Sequence, residues 1–167
     1  MAYAFATKTA LIEAFRSLIL ERGFSKISVG DICERCNMNR KSFYYHFKDK
    51  YDIANSCFDA DFPYLYAKPT EHEDVLYGLC RYLYENRLQY RRLFDSEGQN
   101  SFYDHLRCGL RTYFSLRLTD KSSFGSAFWA DAVAFAVKEW ICAKNPCCCN
   151  DFYYQLISCL RIDGKLS

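Results

Sequence analysis

The chain has 167 residues, half of them hydrophobic, which is enough for one large or two small domains around a real core. A formal charge of +2 is too small to imply any partner, and no stretch approaches the eighteen consecutive apolar residues of a membrane span. The opening MAYAFATKTALIEAF lacks a basic region followed by an apolar run, so the ten cysteines are read as thiols of a reduced, cytoplasmic protein and not as a secreted disulfide framework.

Seven glycines and three prolines leave room for long helices, and an aromatic content of 18% means that cores, interfaces or a cavity are rich in rings. The charge is unevenly spread. Residues 1–53 carry nine Lys/Arg against six Asp/Glu, and the remaining 114 carry thirteen against fourteen. The basic excess in the N-terminal third favours an anionic partner there.

Residues 7–22 place Leu11, Ala14, Phe15, Leu18 and Ile19 on one helical stripe, which Gly23 ends by accepting a left-handed backbone. Phe24 and Ile27 plug a small core. Ser28 and Asp31 have capping-box spacing and open a short helix to about Cys36. Asn37-Met38-Asn39 is a turn, and Asn39 caps a third helix of about seven residues. Asp49 caps a fourth, stopping near Pro63 or Pro69. Longer helices follow at about 71–92 (Val75, Leu79, Leu83 and Leu88 inward), 99–118 (Phe102, Leu106, Leu110 and Phe114 inward), 123–143 and 151–162. No segment alternates with period two, so the fold class is all-α.

Two short helices joined by a tight turn and preceded by a bracing helix form a helix-turn-helix unit. The second of them opens the run NRKSFYYHFKDK. In such a unit the residues at its start face base edges in the DNA major groove, here Arg40, Lys41 and Ser42. Phe43 and Phe47 share a face and anchor the helix on Ile32 and the first helix, while Tyr44 and Tyr45 point outward toward phosphates. Lys50, opening the next helix, is placed to hold another phosphate.

Over residues 8–53 the chain resembles the TetR/AcrR family of bacterial transcription regulators, most specifically in ISVGDICERCNMNRKSFYYHFKDKYDI. Tyr44-Tyr45-His46-Phe47 and Lys50 stand where the family has a "YxHF"-like run and a lysine. The resemblance implies phosphate contacts from Ser42, Tyr44, His46 and Lys50, base-facing roles for Arg40, Lys41 and Tyr45, and a place for Ser28 beside them. The chain departs from the family at Asn37, usually glycine, at Lys41, often a small residue, and at Gly30, where some members read a base.

The resemblance also implies residues 1–50 as the DNA-binding domain and 51–167 as a ligand-sensing and dimerisation domain. The last two helices would pair with a second copy, through Phe128, Ala132, Phe135, Leu156 and Leu160. An effector cavity would draw on rings such as Tyr82, Phe102, Tyr103, Phe114 and Trp129, although most rings are core by default. The expected protein is a ligand-responsive homodimeric repressor on a pseudo-palindromic operator in double-stranded DNA, with no cofactor, metal or membrane partner. Two alternatives keep the fold: a co-regulator acting through a partner protein, and a thiol or metal sensor built on Cys142 and Cys147 to Cys149. Cys33 and Cys36 have CxxC spacing but no second ligand pair nearby, so they read as small core residues. His46, His72 and His105 are scattered, and no hydrolytic or phosphate-loop constellation occurs, so no enzyme activity is expected.

Overall fold

The structure is a computed structural model that describes residues 2–66, 74–95, 101–118 and 122–161. All regular structure among the described residues is helical. The helices are α1 (Ala2–Arg22), α2 (Val29–Arg35), α3 (Arg40–His46), α4 (Lys50–Asp61), α5 (Val75–Glu85), α6 (Arg87–Phe94), α7 (Phe102–Arg117), α8 (Ser123–Cys142) and α9 (Cys149–Arg161). Short 3-10 turns occupy Phe24–Lys26 and Pro63–Tyr66. The expected helix starts at 71 and 99, a stop at Pro69, His72 and the end at 162 lie outside the described residues.

Local chemistry fixes the N-terminal unit. The stripe Leu11, Ala14, Phe15, Leu18 and Ile19 is buried, although α1 begins five residues before the expected Thr7. Gly23 has φ 80° and ψ 156°, a positive φ with extended ψ where a left-handed helical cap was expected, and the 3-10 turn follows directly. Both halves of the capping box form: Ser28 Oγ accepts from Asp31 N at 3.2 Å, and Asp31 Oδ2 accepts from Ser28 N at 2.8 Å. Asn37 adopts φ 53°, the left-handed geometry asparagine tolerates. Asn39 Oδ1 caps α3 through Ser42 N at 2.9 Å, and Asp49 Oδ1 caps α4 through Tyr51 N and Asp52 N, both at 2.8 Å.

The C-terminal helices form a bundle in which α7 packs along α8, and α9 lies on α5. The expected helix over 71–92 is two helices. Asn86 interrupts it, its side-chain amide donating to Tyr82 O at 2.9 Å, and the new register turns Leu88 outward while Gln89, Tyr90 and Leu93 go in. Leu88 was expected inward and is exposed. Leu156 and Leu160, expected at a dimer contact, are buried within the chain itself. The reason is amphipathic: α9 turns Phe152, Leu156 and Leu160 onto the bundle and presents Tyr154, Gln155 and Cys159 outward. Tyr84, Trp140 and Phe152 stack in series, with centroids 5.5 and 4.1 Å apart. Arg87 ties the end of α8 by donating to Ile141 O at 2.9 Å and to Ala143 O.

Head and bundle meet at α1, α4 and α6. Arg92 donates to Ile19 O near the C-terminus of α1. Arg16 pairs with Asp61 at 2.5 Å, and the same carboxylate accepts from the Tyr82 hydroxyl at 2.7 Å. Tyr82 in turn shares a 2.7 Å hydrogen bond with the fully buried Tyr90 hydroxyl. On the next face of α4, Asp59 meets His105 of α7 at 2.7 Å. Burial pushes the Tyr82 and Tyr90 pKa values upward, so both hydroxyls stay neutral and keep their protons for this chain of bonds.

Two predictions follow from the head alone. Phe43 is fully buried on a seven-residue helix, so Phe43→Ala should lower the unfolding free energy by about 3–5 kcal/mol, read from urea denaturation. Arg35 grips Glu21 with two 2.7 Å bonds, and this fork, helped by the Ser17 hydroxyl, pulls the Glu21 pKa from 4.5 to about 2. The unfolded chain therefore takes up this proton at higher pH than the fold does. The contribution is complete above pH 4.5 and is lost as pH falls toward 2. The melting temperature should drop across that window, and Glu21→Gln should flatten that part of the profile.

Candidate nucleic-acid interface

Helix α3 is short, so its faces sort cleanly. Phe43 and Phe47 are buried with Ile32, Leu11 and Phe15 in one core. At 100° per residue, Arg40, Lys41, Tyr44 and Tyr45 fall on one continuous arc away from that core. All four are exposed, Tyr44 at 57% and Tyr45 at 76%. Tyr44 stands edge-on to Phe43 at 5.5 Å, and Tyr45 edge-on to His46 at 4.9 Å, so buried or half-buried rings brace the outward ones.

Charge pairing sets Arg40 apart from the head's other arginines. Arg16, Arg22 and Arg35 are each paired, with Asp61, Asp31 and Glu21. Arg40 and Lys41 have no carboxylate partner among the described residues. Two exposed cations without counter-charges, beside two exposed phenols, make a surface with hydrogen-bond donors and no acid.

The other expected contacts sit differently. The Ser42 hydroxyl lies 3.1 Å from Asn39 Oδ1, and the Ser28 hydroxyl is engaged with Asp31 in the capping box. His46 is half-buried between Tyr45 and Phe47. Lys50 differs most from its expected role. Its ammonium donates to Phe24 O and Ile27 O, both at 3.1 Å, and lies 4.6 Å over the Phe24 ring. Burial lowers its pKa. Lys50 thus braces the 3-10 turn against α4 with the charge that was expected to face a phosphate. A lysine one residue past a cap gives no sign in sequence of which way its amine turns.

The bundle candidates scatter. Phe102 packs against Phe58, Tyr90 and Phe94 at 5.2, 5.0 and 5.1 Å, and Tyr82 belongs to the same ring cluster. Phe114 is buried beside Tyr113, Tyr103 lies under Lys138, and Trp129 leans on Phe128. Tyr82 and Phe102 therefore share one cluster, while Phe114, Tyr103 and Trp129 have other partners. On α8, Phe128, Ala132 and Phe135 are exposed, and Phe124 of the same helix, Leu116 of α7 and Tyr154 of α9 add exposed apolar surface that was not among the expected contact residues. The four-residue step from Phe124 to Phe128 was the available signal.

The four cysteines of the thiol alternative divide: Cys147 and Cys148 are exposed, and Cys142 and Cys149 are partly buried. Burial raises the pKa values of Cys142 and Cys149, as it does those of Cys33 and Cys36, which disfavours thiolate at these four positions. Among the described residues, no three His, Cys, Asp or Glu side chains come together as a metal site.

Comparison with known proteins agrees with this geometry. Residues 11–57, from α1 into α4, match the sequence profile of "Bacterial regulatory proteins, tetR family". The HTH-type dhaKLM operon transcriptional activator DhaS of Lactococcus lactis subsp. lactis (strain IL1403) is 29% identical over 91 residues, 53% of this chain and 49% of that protein. The Transposon Tn10 TetC protein of Escherichia coli is 25% identical over 87 residues, 51% of this chain and 44% of its own. The matched segment spans about half the length of these relatives. In fold, a TetR transcriptional regulator from Streptococcus agalactiae 2603V superposes with a TM-score of 0.72 at 20% identity, covering 95% of this chain and 96% of that one. The capped three-helix head thus matches the tetR family of bacterial regulatory proteins over residues 11–57, and the all-α chain as a whole shares the fold of the Streptococcus agalactiae regulator.

Proposed function

We propose that this protein is a cytoplasmic, non-enzymatic transcription regulator that binds double-stranded DNA through the Arg40, Lys41, Tyr44 and Tyr45 arc of α3. The observation that carries the reading is the pairing contrast: among the described residues, Arg40 of α3 lacks the carboxylate partner that the head's other arginines have. Arg40 and Lys41 at the start of the helix suit guanine edges and phosphates, and the tyrosine hydroxyls suit phosphate oxygens. Ser42 and His46 lie on the flank of that arc. No described helix is long and apolar enough to cross a membrane.

We place the functional boundary at residue 50, so that 1–50 reads DNA and 51–167 senses and dimerises. The exposed stripe Phe124, Phe128, Ala132 and Phe135 on α8 fits a contact with a second copy, and a dimer would set two heads on a pseudo-palindromic operator. A small-molecule effector would act by shifting the population of head positions. The Arg16–Asp61–Tyr82–Tyr90 bonds supply a path from ring cluster to head. Repression by operator occupancy is the simplest output of such a dimer, while DhaS, by its name, is an activator. A promoter–reporter fusion with and without the protein separates the two.

Four variants test this reading by fluorescence anisotropy, thermal melting and sedimentation. Arg40→Ala should cost about 1–3 kcal/mol at the preferred duplex, and Lys41→Ala should flatten the log–log salt slope by about 1. Lys50→Gln should lower the melting temperature and leave that slope unchanged, because its ammonium is bound to two carbonyls. Phe128→Asp with Phe135→Asp should convert a dimer to monomer in analytical ultracentrifugation.

A further inference from the structure

Gly30 is the second residue of α2, across the turn from α3, and its backbone is ordinary helix. What distinguishes it is its neighbour. A Cβ built on Gly30 would lie 3.0 Å from Arg40 Nη2, 3.8 Å from Arg40 Cζ and 3.4 Å from Ser28 Oγ. The Arg40 guanidinium therefore lies against the space that a side chain at position 30 would enter. No ion pair holds it among the described residues, and the Ser28 hydroxyl beside it is engaged with Asp31. The missing side chain at position 30 is what leaves the guanidinium room at this place, and no hydrogen bond engages its N–H groups among the described residues.

We propose that Gly30 is a specificity-determining residue: it is the seat that aims Arg40 at a G·C pair in the major groove. This rests on the DNA-reading role of α3 proposed above. A guanidinium reads guanine by two parallel N–H bonds to O6 and N7, a geometry that tolerates little angular error. A methyl group at position 30 must displace the guanidinium by a few tenths of an ångström or swing it to another rotamer. The phosphate contacts made by other residues are untouched. Gly30 thus governs which base pair is preferred without contributing a side chain to the interface.

The test begins with a duplex selected from a randomised pool by the wild-type chain. Anisotropy is then measured on that duplex and on versions in which each G·C pair is replaced by A·T, for wild type, Gly30→Ala, Gly30→Ser, Arg40→Ala and the Gly30→Ala/Arg40→Ala double variant. One replacement should cost wild type about tenfold in affinity and cost the four variants no more than about twofold. Gly30→Ala should add nothing to Arg40→Ala, keep the wild-type salt slope, and melt no lower than wild type, because alanine favours the helix. Retention of the full wild-type penalty at every pair by Gly30→Ala and Gly30→Ser overturns the inference, as do effects of Gly30→Ala and Arg40→Ala that multiply. A wild-type chain that selects no sequence overturns the DNA-reading role itself, and this inference with it; selection by wild type with an insensitive Gly30→Ala overturns the inference alone.

Discussion

Everything at the proposed interface depends on the burial of Phe43 and Phe47. A seven-residue helix cannot be stable by itself in water, since its few internal hydrogen bonds do not offset the cost of nucleation. Half of α3 must therefore be anchored for the other half to be presented. The two phenylalanines, 0% and 2% exposed, lock one side of α3 into the core built by α1 and α2, and this fixes where Arg40, Lys41, Tyr44 and Tyr45 point. The Asn39 cap and the Lys50 brace serve the same end, holding the start of α3 and the turn behind it. The outer rings add little to stability. They stand edge-on to inner rings, which limits the directions their hydroxyls sweep.

The second constraint is at the joint between head and bundle. Polar groups are used there where a hydrophobic seam would also have served. Asp61 accepts from Arg16 of α1 and from Tyr82 of α5, so one carboxylate is shared between head and bundle. A partly buried carboxylate with two donors is costly to leave half-satisfied, so the joint favours a discrete arrangement over a continuum. Arg92 adds a second tie by donating to Ile19 O, beside the Gly23 bend that ends α1. The aromatic cluster of Phe58, Tyr90, Phe94 and Phe102 lies directly behind these bonds, so repacking of its rings would be felt at Arg16.

Much of this was legible in sequence where a signal is local. Ser28 with Asp31, Asn39 and Asp49 are caps whose chemistry depends on residues two or three positions away, and each forms as read. The buried stripes of α1 and α7 follow from 3.6-residue periodicity alone. Long-range choices were not legible. The break at Asn86 replaces one plausible periodic helix by two, and only tertiary packing of Tyr90 and Leu93 decides between the registers. Leu156 and Leu160 read equally well as an intermolecular or an intramolecular face, until α5 takes them. Lys50 has two directions open to its amine, and two carbonyls 23 and 26 residues upstream decide which is used. Gly30 carries no side chain to read at all. Its importance lies in what it allows Arg40 to do.

The measurement that tests the central claim most directly is fluorescence anisotropy of the purified chain with the DNA upstream of its own gene, beside a scrambled duplex, across a salt series. A basic arc on each head of a dimer predicts selective binding to the upstream duplex, with a log–log salt slope of about −5 or steeper. Equal, weak binding to both duplexes with a shallow slope, unchanged when Arg40 and Lys41 are both replaced by alanine, would contradict the assignment of α3 as the reading helix.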